Sequence, residues 1–258
     1  RAQQVKPDDA RLITSHIDIA SPDGYGTIKA YLVRPAKAKA SAKLPVVLVV
    51  QEIFGVHEYI ADTCRRFAQA GYLAIAPELF ARQGDPTAYS EVAKLIAELV
   101  SKVPDAQVMA DLDATVAWAQ ANGGSKKVSV TGFCWGGRIT WLYAAHNPQV
   151  KAGVAWYGRL VGQASANTPS HPVNVTKTLH GPVLGLYGSA DTGIPLTTVN
   201  EMKDALAVGS AAAKKSEFVV YPGAPHAFHA DYRPSYRKDA ADDGWQRALA
   251  WFKKNGVA

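Results

Sequence analysis

The chain has 258 residues, 48% of them hydrophobic, which is enough for one substantial core and predicts a single domain over residues 1–258. Its 28 Lys and Arg exceed its 22 Asp and Glu, but the basic residues are dispersed. Because no long block of Lys and Arg appears, no nucleic-acid partner is expected, while the net charge of +6 is compatible with an anionic substrate. No apolar run reaches the roughly 18–20 residues of a membrane span, so no membrane partner is expected.

The cysteine content and the first residue bear on the compartment. Two cysteines do not indicate a disulfide framework, and Cys64 has helical spacing with Ile60 and Phe67, which predicts a place in the core. We expect a soluble, cytoplasmic protein that is a monomer or a small homo-oligomer. Because the chain begins with Arg1 and not Met, a periplasmic or exported location is the alternative.

The first 44 residues predict an antiparallel hairpin. Strands over 12–20 and 27–34 alternate in polarity and flank Ser-Pro-Asp-Gly-Tyr-Gly, which is a turn sequence. Residues 36–43 are small and basic and predict an exposed loop. The continuous apolar run at 46–50 is then typical of a strand that is buried on both faces.

From residue 58 onward, helical and strand patterns alternate. The predicted helices cover 58–70, 89–102, 105–121, 136–146, 195–208 and 235–254. The predicted strands after the run at 46–50 cover 72–76, 127–131, 151–157, 183–187 and 217–221, with a long irregular stretch at 158–181. This alternation indicates an α/β fold with a mostly parallel central sheet and helices on both faces.

The sequence Val-Thr-Gly-Phe-Cys-Trp-Gly-Gly-Arg at 130–138 places Cys134 at a strand-to-helix junction. As G-x-C-x-G it is a nucleophile elbow, in which Gly132 and Gly136 let the backbone pass closely while the cysteine is held in a strained conformation. The N-terminus of the following helix favours a thiolate. A buried structural cysteine and a phosphate-binding turn are the alternatives. A dinucleotide fingerprint fits less well, because G-x-x-x-G-G is not G-x-G-x-x-G.

Two further reactive residues follow predicted strands. Asp191 ends Gly-Ser-Ala-Asp after 183–187, and His226 lies in Gly-Ala-Pro-His-Ala-Phe after 217–221. Sites in open α/β sheets form at the carboxyl ends of strands, so the chain order nucleophile, acid, histidine predicts the triad Cys134, Asp191 and His226. The other histidines considered are weaker partners or candidate pocket residues: His16, His146, His180, His57 and His229.

Further segments accompany the triad: Gln-Glu-Ile-Phe-Gly at 51–55 and Leu-Phe-Ala-Arg-Gln at 79–83, besides the elbow and Pro-His-Ala-Phe at 225–228. Together they resemble the dienelactone hydrolases (carboxymethylenebutenolidases) of the α/β-hydrolase superfamily, from about residue 45 to the last helix. The resemblance implies the α/β-hydrolase fold and the same triad. It also implies that Glu52 holds the resting thiol and takes its proton when substrate displaces the carboxylate; otherwise Glu52 is a solvated carboxylate at a strand end.

The same resemblance suggests which residues contact substrate. The backbone N–H groups of Ile53 and Trp135 would form the oxyanion hole. Arg82 matches the family arginine that pairs with a substrate carboxylate, whereas Ala230 replaces the second one and Arg233 is the nearest basic residue. The remaining candidate substrate-binding residues are Phe54, Trp156 and Tyr157. No metal or organic cofactor is expected, because no His, Cys and Asp cluster has ligand spacing.

The sequence therefore predicts a cysteine-nucleophile hydrolase that opens a small, carboxylate-bearing ester or lactone through a thioester acyl-enzyme. One alternative is an esterase or thioesterase with a different acyl group. The other is a non-catalytic ligand-binding or thiol redox-sensing protein on the same fold. An acyl adduct formed with an activated ester separates an enzyme from a binding protein.

Overall fold

The computed structural model describes residues 3–258, which form an eight-stranded sheet with helices packed against it. The strands are β1 (Leu12–Ala20), β2 (Thr27–Pro35), β3 (Leu44–Val50), β4 (Leu73–Pro77), β5 (Gly124–Phe133), β6 (Val150–Trp156), β7 (Val183–Gly188) and β8 (Glu217–Tyr221). Their order is β1-β2-β4-β3-β5-β6-β7-β8. The hairpin strands β1 and β2 pair antiparallel, and β2 is antiparallel to β4, while the other neighbours are parallel. The predicted fold class is confirmed.

Seven α-helices connect the strands within the described residues. They are α1 (Glu58–Gln69), α2 (Val92–Glu98), α3 (Asp105–Ala121), α4 (Trp135–His146), α5 (Leu196–Ala207), α6 (Ala211–Lys215) and α7 (Lys238–Lys254). On β6, a Cβ at Gly153 would lie 3.2 Å from Thr140 of α4, whereas Trp156 packs against Gly244 of α7. Residues three apart on a strand point to opposite faces, so α4 and α7 cover opposite faces of the sheet.

The core is centred on β3, whose residues from Val46 to Val50 are all fully buried. A parallel strand covered by helices on both faces has no solvated side, which is why its sequence is continuously apolar. Cys64 of α1 is also fully buried and belongs to this core, as predicted. In contrast, β8 at the sheet edge is only partly buried. No helix within residues 3–258 combines the length and the apolar character needed to cross a membrane.

Two predicted helices differ from the structure, and one helix of the structure was not predicted. The helix predicted over 89–102 is the shorter α2 followed by a 3₁₀ turn at Val100–Lys102, because Leu99 leaves helical geometry with φ −122° and ψ −63°. The short α6 was not predicted; Ser210 caps it by accepting a hydrogen bond from the Ala213 N–H at 3.0 Å. The last helix begins at Lys238 and not at residue 235, since the Arg237 N–H bonds back to the Phe228 carbonyl at 2.9 Å.

The irregular stretch between β6 and β7, residues 157–182, packs against the first residue of α3 and the side of α4. Arg138 of α4 forms a bidentate ion pair with Asp105 at 2.7 and 2.9 Å, and its Nε donates to the Nδ1 of His171 at 3.2 Å. His171 lies in the stretch, which contains short 3₁₀ turns at Pro172–Asn174 and Thr176–Thr178. The Arg138 side chain, held by its ion pair with Asp105, thus anchors this stretch through hydrogen bonds to His171 and to the Ser170 carbonyl.

Candidate active site

The three residues of the predicted triad meet above the carboxyl ends of β5, β7 and β8. The His226 Nε2 lies 3.1 Å from the Cys134 Sγ, and its Nδ1 lies 2.7 Å from the Asp191 Oδ2. Asp191 is 2% exposed at its side chain and accepts a hydrogen bond from the Gly193 N–H at 3.0 Å, which fixes its orientation. The structure therefore brings a thiol, an imidazole and a carboxylate to hydrogen-bonding distances of one another, which is the geometry that the predicted triad requires.

The elbow is a strained turn. Cys134 has φ 61° and ψ −116°, between the end of β5 at Phe133 and the start of α4 at Trp135. A Cβ at Gly132 would lie 2.0 Å from the Gly136 carbonyl oxygen, and one at Gly136 would lie 2.4 Å from the Val50 carbonyl oxygen. Both positions thus require glycine, and the elbow packs directly against the end of β3.

The backbone amides predicted for an oxyanion hole are those of Trp135 and Ile53. Trp135 is the first residue of α4, and N–H groups in a first helical turn have no acceptor within the helix. Ile53 lies in the loop after β3, against which the elbow packs. Gln51 braces that loop, because its Oε1 accepts from the Leu79 N–H at 2.9 Å and its Nε2 donates to the Glu52 carbonyl at 3.1 Å.

The environment of His226 favours its charged form. Burial alone would lower its pKa, but the hydrogen bonds to Asp191 and to the Cys134 sulfur outweigh burial and raise the pKa of His226 to about 10. An imidazolium held at a sulfur stabilises the thiolate, as does the positive end of α4. The Cys134 sulfur and the His226 ring are therefore close enough for a proton to pass between them.

Glu52 lies beside this pair in a cluster of hydrogen-bonding side chains. Its side chain is fully buried, and its Oε1 accepts from the Tyr232 hydroxyl at 2.8 Å and lies 3.2 Å from the His57 Nε2. The Arg233 Nη1 lies 3.6 Å from the other oxygen, Oε2, which has no hydrogen-bond partner. Within residues 3–258, no hydrogen bond joins Glu52 to Cys134. The structure thus shows the thiol paired with His226, unlike the resting thiol that the resemblance implies.

The sequence is similar to those of known hydrolases. A profile of the dienelactone hydrolase family matches residues 28–256. The chain belongs to the dienelactone hydrolase family. It is 57% identical over 260 residues to a Methylorubrum extorquens protein described as "Putative carboxymethylenebutenolidase", with 100% of this chain and 87% of that protein covered. This family member is accordingly a hydrolase that acts on ester or lactone bonds.

Two further relatives extend the comparison. The crystal structure titled "Putative Dienelactone Hydrolase", from Klebsiella pneumoniae, has 58% identity and a TM-score of 0.89, and the match covers 94% of this chain and 99% of that one. A Bradyrhizobium protein described as "Probable 2-oxo-3-(5-oxofuran-2-ylidene)propanoate lactonase" is 30% identical over 227 residues, covering 87% of this chain and 88% of its own. The dienelactone hydrolase family assignment thus holds over nearly the whole chain.

Arg82 is not placed as this family resemblance implies. Its guanidinium makes a bidentate ion pair with Asp111 at 2.7 and 2.8 Å and a second one with Asp23 at 2.8 and 3.0 Å. The Arg82 side chain is only 9% exposed. Because both edges of the guanidinium are already occupied, the expectation that Arg82 clamps a substrate carboxylate is corrected: in this structure Arg82 joins the turn of the β1–β2 hairpin to α3.

Arg233 is a cationic side chain beside Glu52. Besides its approach to Glu52, its guanidinium carbon lies 5.9 Å from the centre of the Phe54 ring, and the side chain is 31% exposed. Phe54 is partly buried in the loop that also carries Glu52 and Ile53. The structure therefore places these two predicted substrate-binding residues, Arg233 and Phe54, together at the site.

Trp156 and Tyr157 are adjacent in sequence but have different surroundings. Trp156 is fully buried, donates to the Thr131 hydroxyl at 3.1 Å and packs against α7, so it is a core residue and the expectation that it contacts substrate is corrected. The Tyr157 ring lies 5.1 Å from the His226 ring, and its buried hydroxyl has no hydrogen-bond partner. Burial, and then the negative charge of Glu52, raise the pKa of Tyr157.

The other histidines have separate partners. His146 bonds to Asp113 at 2.7 Å at the far end of α4, and His229 is buried with its Nδ1 at the Tyr59 hydroxyl. His57 alone among them contacts the site, through Glu52 and Tyr232. Sequence reasoning missed Tyr232. The position of Tyr232 could have indicated it, because Tyr232 directly precedes Arg233 in the loop that follows His226.

Proposed function

We propose that this hydrolase opens a small ester or lactone through a thioester acyl-enzyme, with Cys134 as the nucleophile. The observation that carries the proposal is the continuous contact from the Cys134 Sγ through both ring nitrogens of His226 to Asp191, at 3.1 and 2.7 Å. Such a chain fixes the imidazole orientation and lets one side chain both stabilise a thiolate and transfer a proton.

In the acylation step, the thiolate of Cys134 attacks the carbonyl carbon and a C–S bond forms. The carbonyl oxygen becomes an oxyanion, which the N–H groups of Ile53 and Trp135 stabilise. When the tetrahedral intermediate collapses, the C–O bond breaks and the leaving oxygen takes a proton from the His226 imidazolium. In a lactone, that oxygen stays attached to the acyl group through the opened ring.

In the deacylation step, neutral His226 takes a proton from water while the water oxygen attacks the thioester carbonyl. The C–S bond then breaks, the carboxylic acid leaves, and the thiolate and imidazolium are restored. Asp191 keeps the His226 ring oriented in both steps. The positive end of α4 supports the thiolate as leaving group.

Two observations support a lactone that carries a carboxylate as the substrate. The Bradyrhizobium relative is described as a lactonase for a propanoate compound, and Arg233 lies beside Glu52. Of the two arginines predicted to contact substrate, Arg82 is paired with Asp111 and Asp23, whereas Arg233 is 31% exposed and approaches Glu52 at 3.6 Å. That pairing also favours a second candidate function, an esterase or thioesterase for neutral acyl groups. A matched anionic and neutral lactone pair discriminates the two.

The test is a panel of aryl esters, lactones and dienelactones with wild type, Cys134→Ser and Cys134→Ala. We expect turnover of at least one lactone by wild type and none above background by Cys134→Ala. Cys134→Ser keeps a weaker nucleophile and is expected to retain a small fraction of the activity. Turnover at wild-type rates in Cys134→Ala contradicts the proposal.

A further inference from the structure

The backbone has an unfavourable conformation at three non-glycine residues that adjoin the site. Within residues 3–258, the non-glycine residues with positive φ are Cys134 at 61°, Tyr157 at 37° and Ala227 at 63°. A positive φ costs free energy in a residue with a side chain, and such residues concentrate at functional sites. Cys134 is the proposed nucleophile, and Ala227 directly follows His226. Tyr157 is the one of the three that the proposed mechanism does not use.

The turn at Tyr157 is held from two sides, by β7 and by α4. The Tyr157 N–H donates to the Leu186 carbonyl at 2.9 Å. The next residue is Gly158, where a Cβ would lie 2.1 Å from the backbone nitrogen of Arg138 in α4. The Tyr187 hydroxyl donates to the Gly158 carbonyl at 2.7 Å. These contacts fix the path of the chain after β6 and with it the positive φ of Tyr157.

This turn places the Tyr157 ring between the His226 ring and the core. The centre of the Tyr157 ring lies 5.1 Å from that of His226, at an interplanar angle of 66°, and 5.1 Å from that of Phe228. Tyr157 and Phe228 are fully buried, whereas the His226 side chain is 34% exposed. Tyr157 is therefore a wall behind the imidazole, on the side away from solvent.

The His226 ring needs a second support because one hydrogen bond leaves it free to rotate. The Asp191 Oδ2 lies 2.7 Å from Nδ1, but the terminal torsion of a histidine side chain is broad. Rotation about the contact to Asp191 would move Nε2 away from the Cys134 Sγ, which lies at 3.1 Å. Packing against the Tyr157 ring opposes that rotation.

The hydroxyl of Tyr157 is not part of this contact. It is buried and has no hydrogen-bond partner within residues 3–258. Burial, and then the negative charge of Glu52, raise the pKa of Tyr157, while the nearby Tyr59 hydroxyl lowers it. A buried hydroxyl without a partner lowers stability, so the hydroxyl itself does not explain why a tyrosine is held here.

We propose that Tyr157 is a positioning residue whose ring holds the His226 imidazole in the orientation that keeps its Nε2 at the Cys134 sulfur. The proposal rests on the proposed function in treating Cys134 as the nucleophile. It gives the imidazole two supports, a hydrogen bond from Asp191 and a packing contact from Tyr157. It also accounts for the unfavourable backbone conformation at Tyr157.

The test is the rate of Cys134 alkylation by iodoacetamide between pH 5 and 10, measured on the intact protein by mass. Cys64 is fully buried, so the reaction reports on Cys134. Tyr157→Met keeps an apolar side chain but loses the rigid ring. Because a mobile imidazole stabilises the thiolate less, we expect the midpoint of the profile to rise by about one pH unit. The kcat for an activated ester should fall about tenfold with little change in KM.

Tyr157→Phe is the conservative variant. It keeps the ring and removes only the unpaired hydroxyl, so its alkylation midpoint and kcat should equal those of wild type. Its melting temperature should be equal to or above that of wild type, because a buried hydroxyl without a partner is removed. This variant separates the ring from the hydroxyl.

A double variant decides whether Tyr157 acts through His226. Adding Tyr157→Met to His226→Ala should cause no further shift of the midpoint, since the imidazole is already absent. The matched control is Phe252→Met, which removes a fully buried ring of α7 that packs 6.0 Å from the rings of Phe67 and Tyr72. Its alkylation profile should equal that of wild type even where its melting temperature falls.

Three results overturn the proposal. They are a wild-type profile in Tyr157→Met, an equal shift on adding Tyr157→Met to wild type and to His226→Ala, and a Tyr157→Phe variant as impaired as Tyr157→Met. If a thermal melt shows Tyr157→Met unfolded, Phe228→Leu replaces it, because it removes the ring on which Tyr157 packs. Its midpoint should also rise, and an unchanged midpoint overturns the proposal.

The alkylation profile needs no substrate, so it is independent of the test of the proposed function. If Cys134→Ala proves active, the proposed function fails, while the profile still decides whether Tyr157 positions the His226 ring.

Discussion

Arg82 and Asp111 form a bidentate ion pair, with nitrogen–oxygen distances of 2.7 and 2.8 Å, in which the Asp111 side chain is fully buried. Burial raises the pKa of Asp111, and the hydrogen bonds and charge of Arg82 oppose that rise. The same guanidinium reaches Asp23 in the turn of the β1–β2 hairpin. This relationship makes Arg82 a structural link in a position where the family resemblance implies a substrate contact.

Arg82→Ala is therefore expected to lower the free energy of unfolding, with little change in the selectivity between anionic and neutral substrates. Removing one partner of a buried pair leaves Asp111 uncompensated, which costs about 3–5 kcal/mol of unfolding free energy. Urea unfolding measures this loss. Asp23→Ala is the control: Asp23 is 52% exposed, and an exposed ion pair contributes about 0–1 kcal/mol. If Arg82→Ala is as stable as wild type but has a raised KM for anionic lactones alone, the result would contradict this prediction and support a contact between Arg82 and the substrate carboxylate.

Arg233→Ala tests the remaining cationic contact. If Arg233 binds a substrate carboxylate, KM for an anionic lactone should rise by one to two orders of magnitude, on the scale of about 1.5–3 kcal/mol for a charge-assisted hydrogen bond. A neutral lactone of the same shape should be almost unaffected. A small loss for the anionic lactone alone that disappears at high salt indicates that Arg233 contributes only to the general positive charge.

Short sequence motifs locate some of these residues and leave others unmarked. Cys134, Asp191 and His226 each follow a predicted strand within a short motif, so their meeting at one sheet edge was predictable. Arg82 is 29 residues from Asp111 and 59 from Asp23, and no local pattern marks those pairs. Periodicity also does not show whether a residue at the end of a strand lies in the core or lines a pocket. For this reason Trp156 was expected at the pocket, whereas the structure places it in the core.

The elbow glycines offer a prediction about backbone packing. Gly132→Ala would bring a Cβ to 2.0 Å from the Gly136 carbonyl oxygen and 2.4 Å from its carbonyl carbon, which are backbone atoms and cannot rotate away. We expect a loss of stability of about 1–3 kcal/mol, the cost of overpacking, together with a loss of activity from a displaced Cys134. Gly153→Ala is the control on β6, because its nearest atoms are side-chain methyl groups at 3.2 Å. Equal stability of the two variants would contradict this packing argument.

Asp62 gives a pH dependence of stability with a definite sign. Burial raises its pKa from 3.8 to about 6, although its carboxylate accepts the Val5 N–H at 2.8 Å. The folded chain therefore binds this proton more tightly than the unfolded chain. The resulting stabilisation is fully present below pH 3.8 and is lost as the pH rises through about 6.

Asp62→Asn removes this titration. Urea unfolding at pH 4.5 and pH 7.5 should show that wild type loses stability relative to Asp62→Asn as the pH rises, because the comparison cancels the other titrating groups. A difference between the two proteins that is the same at both pH values would show that Asp62 titrates alike in the folded and unfolded chains.

The identity of the nucleophile is tested most directly by rapid mixing of the enzyme with an activated aryl ester, followed by acid quenching and mass measurement of the intact protein. Wild type should gain the mass of one acyl group within a turnover, and peptide mapping should place that mass on Cys134. The adduct should then disappear at the rate of deacylation. Cys134→Ala should form no adduct and lose at least about 10³-fold in activity. An adduct on another residue, or turnover by Cys134→Ala at the wild-type rate, would contradict the proposed mechanism.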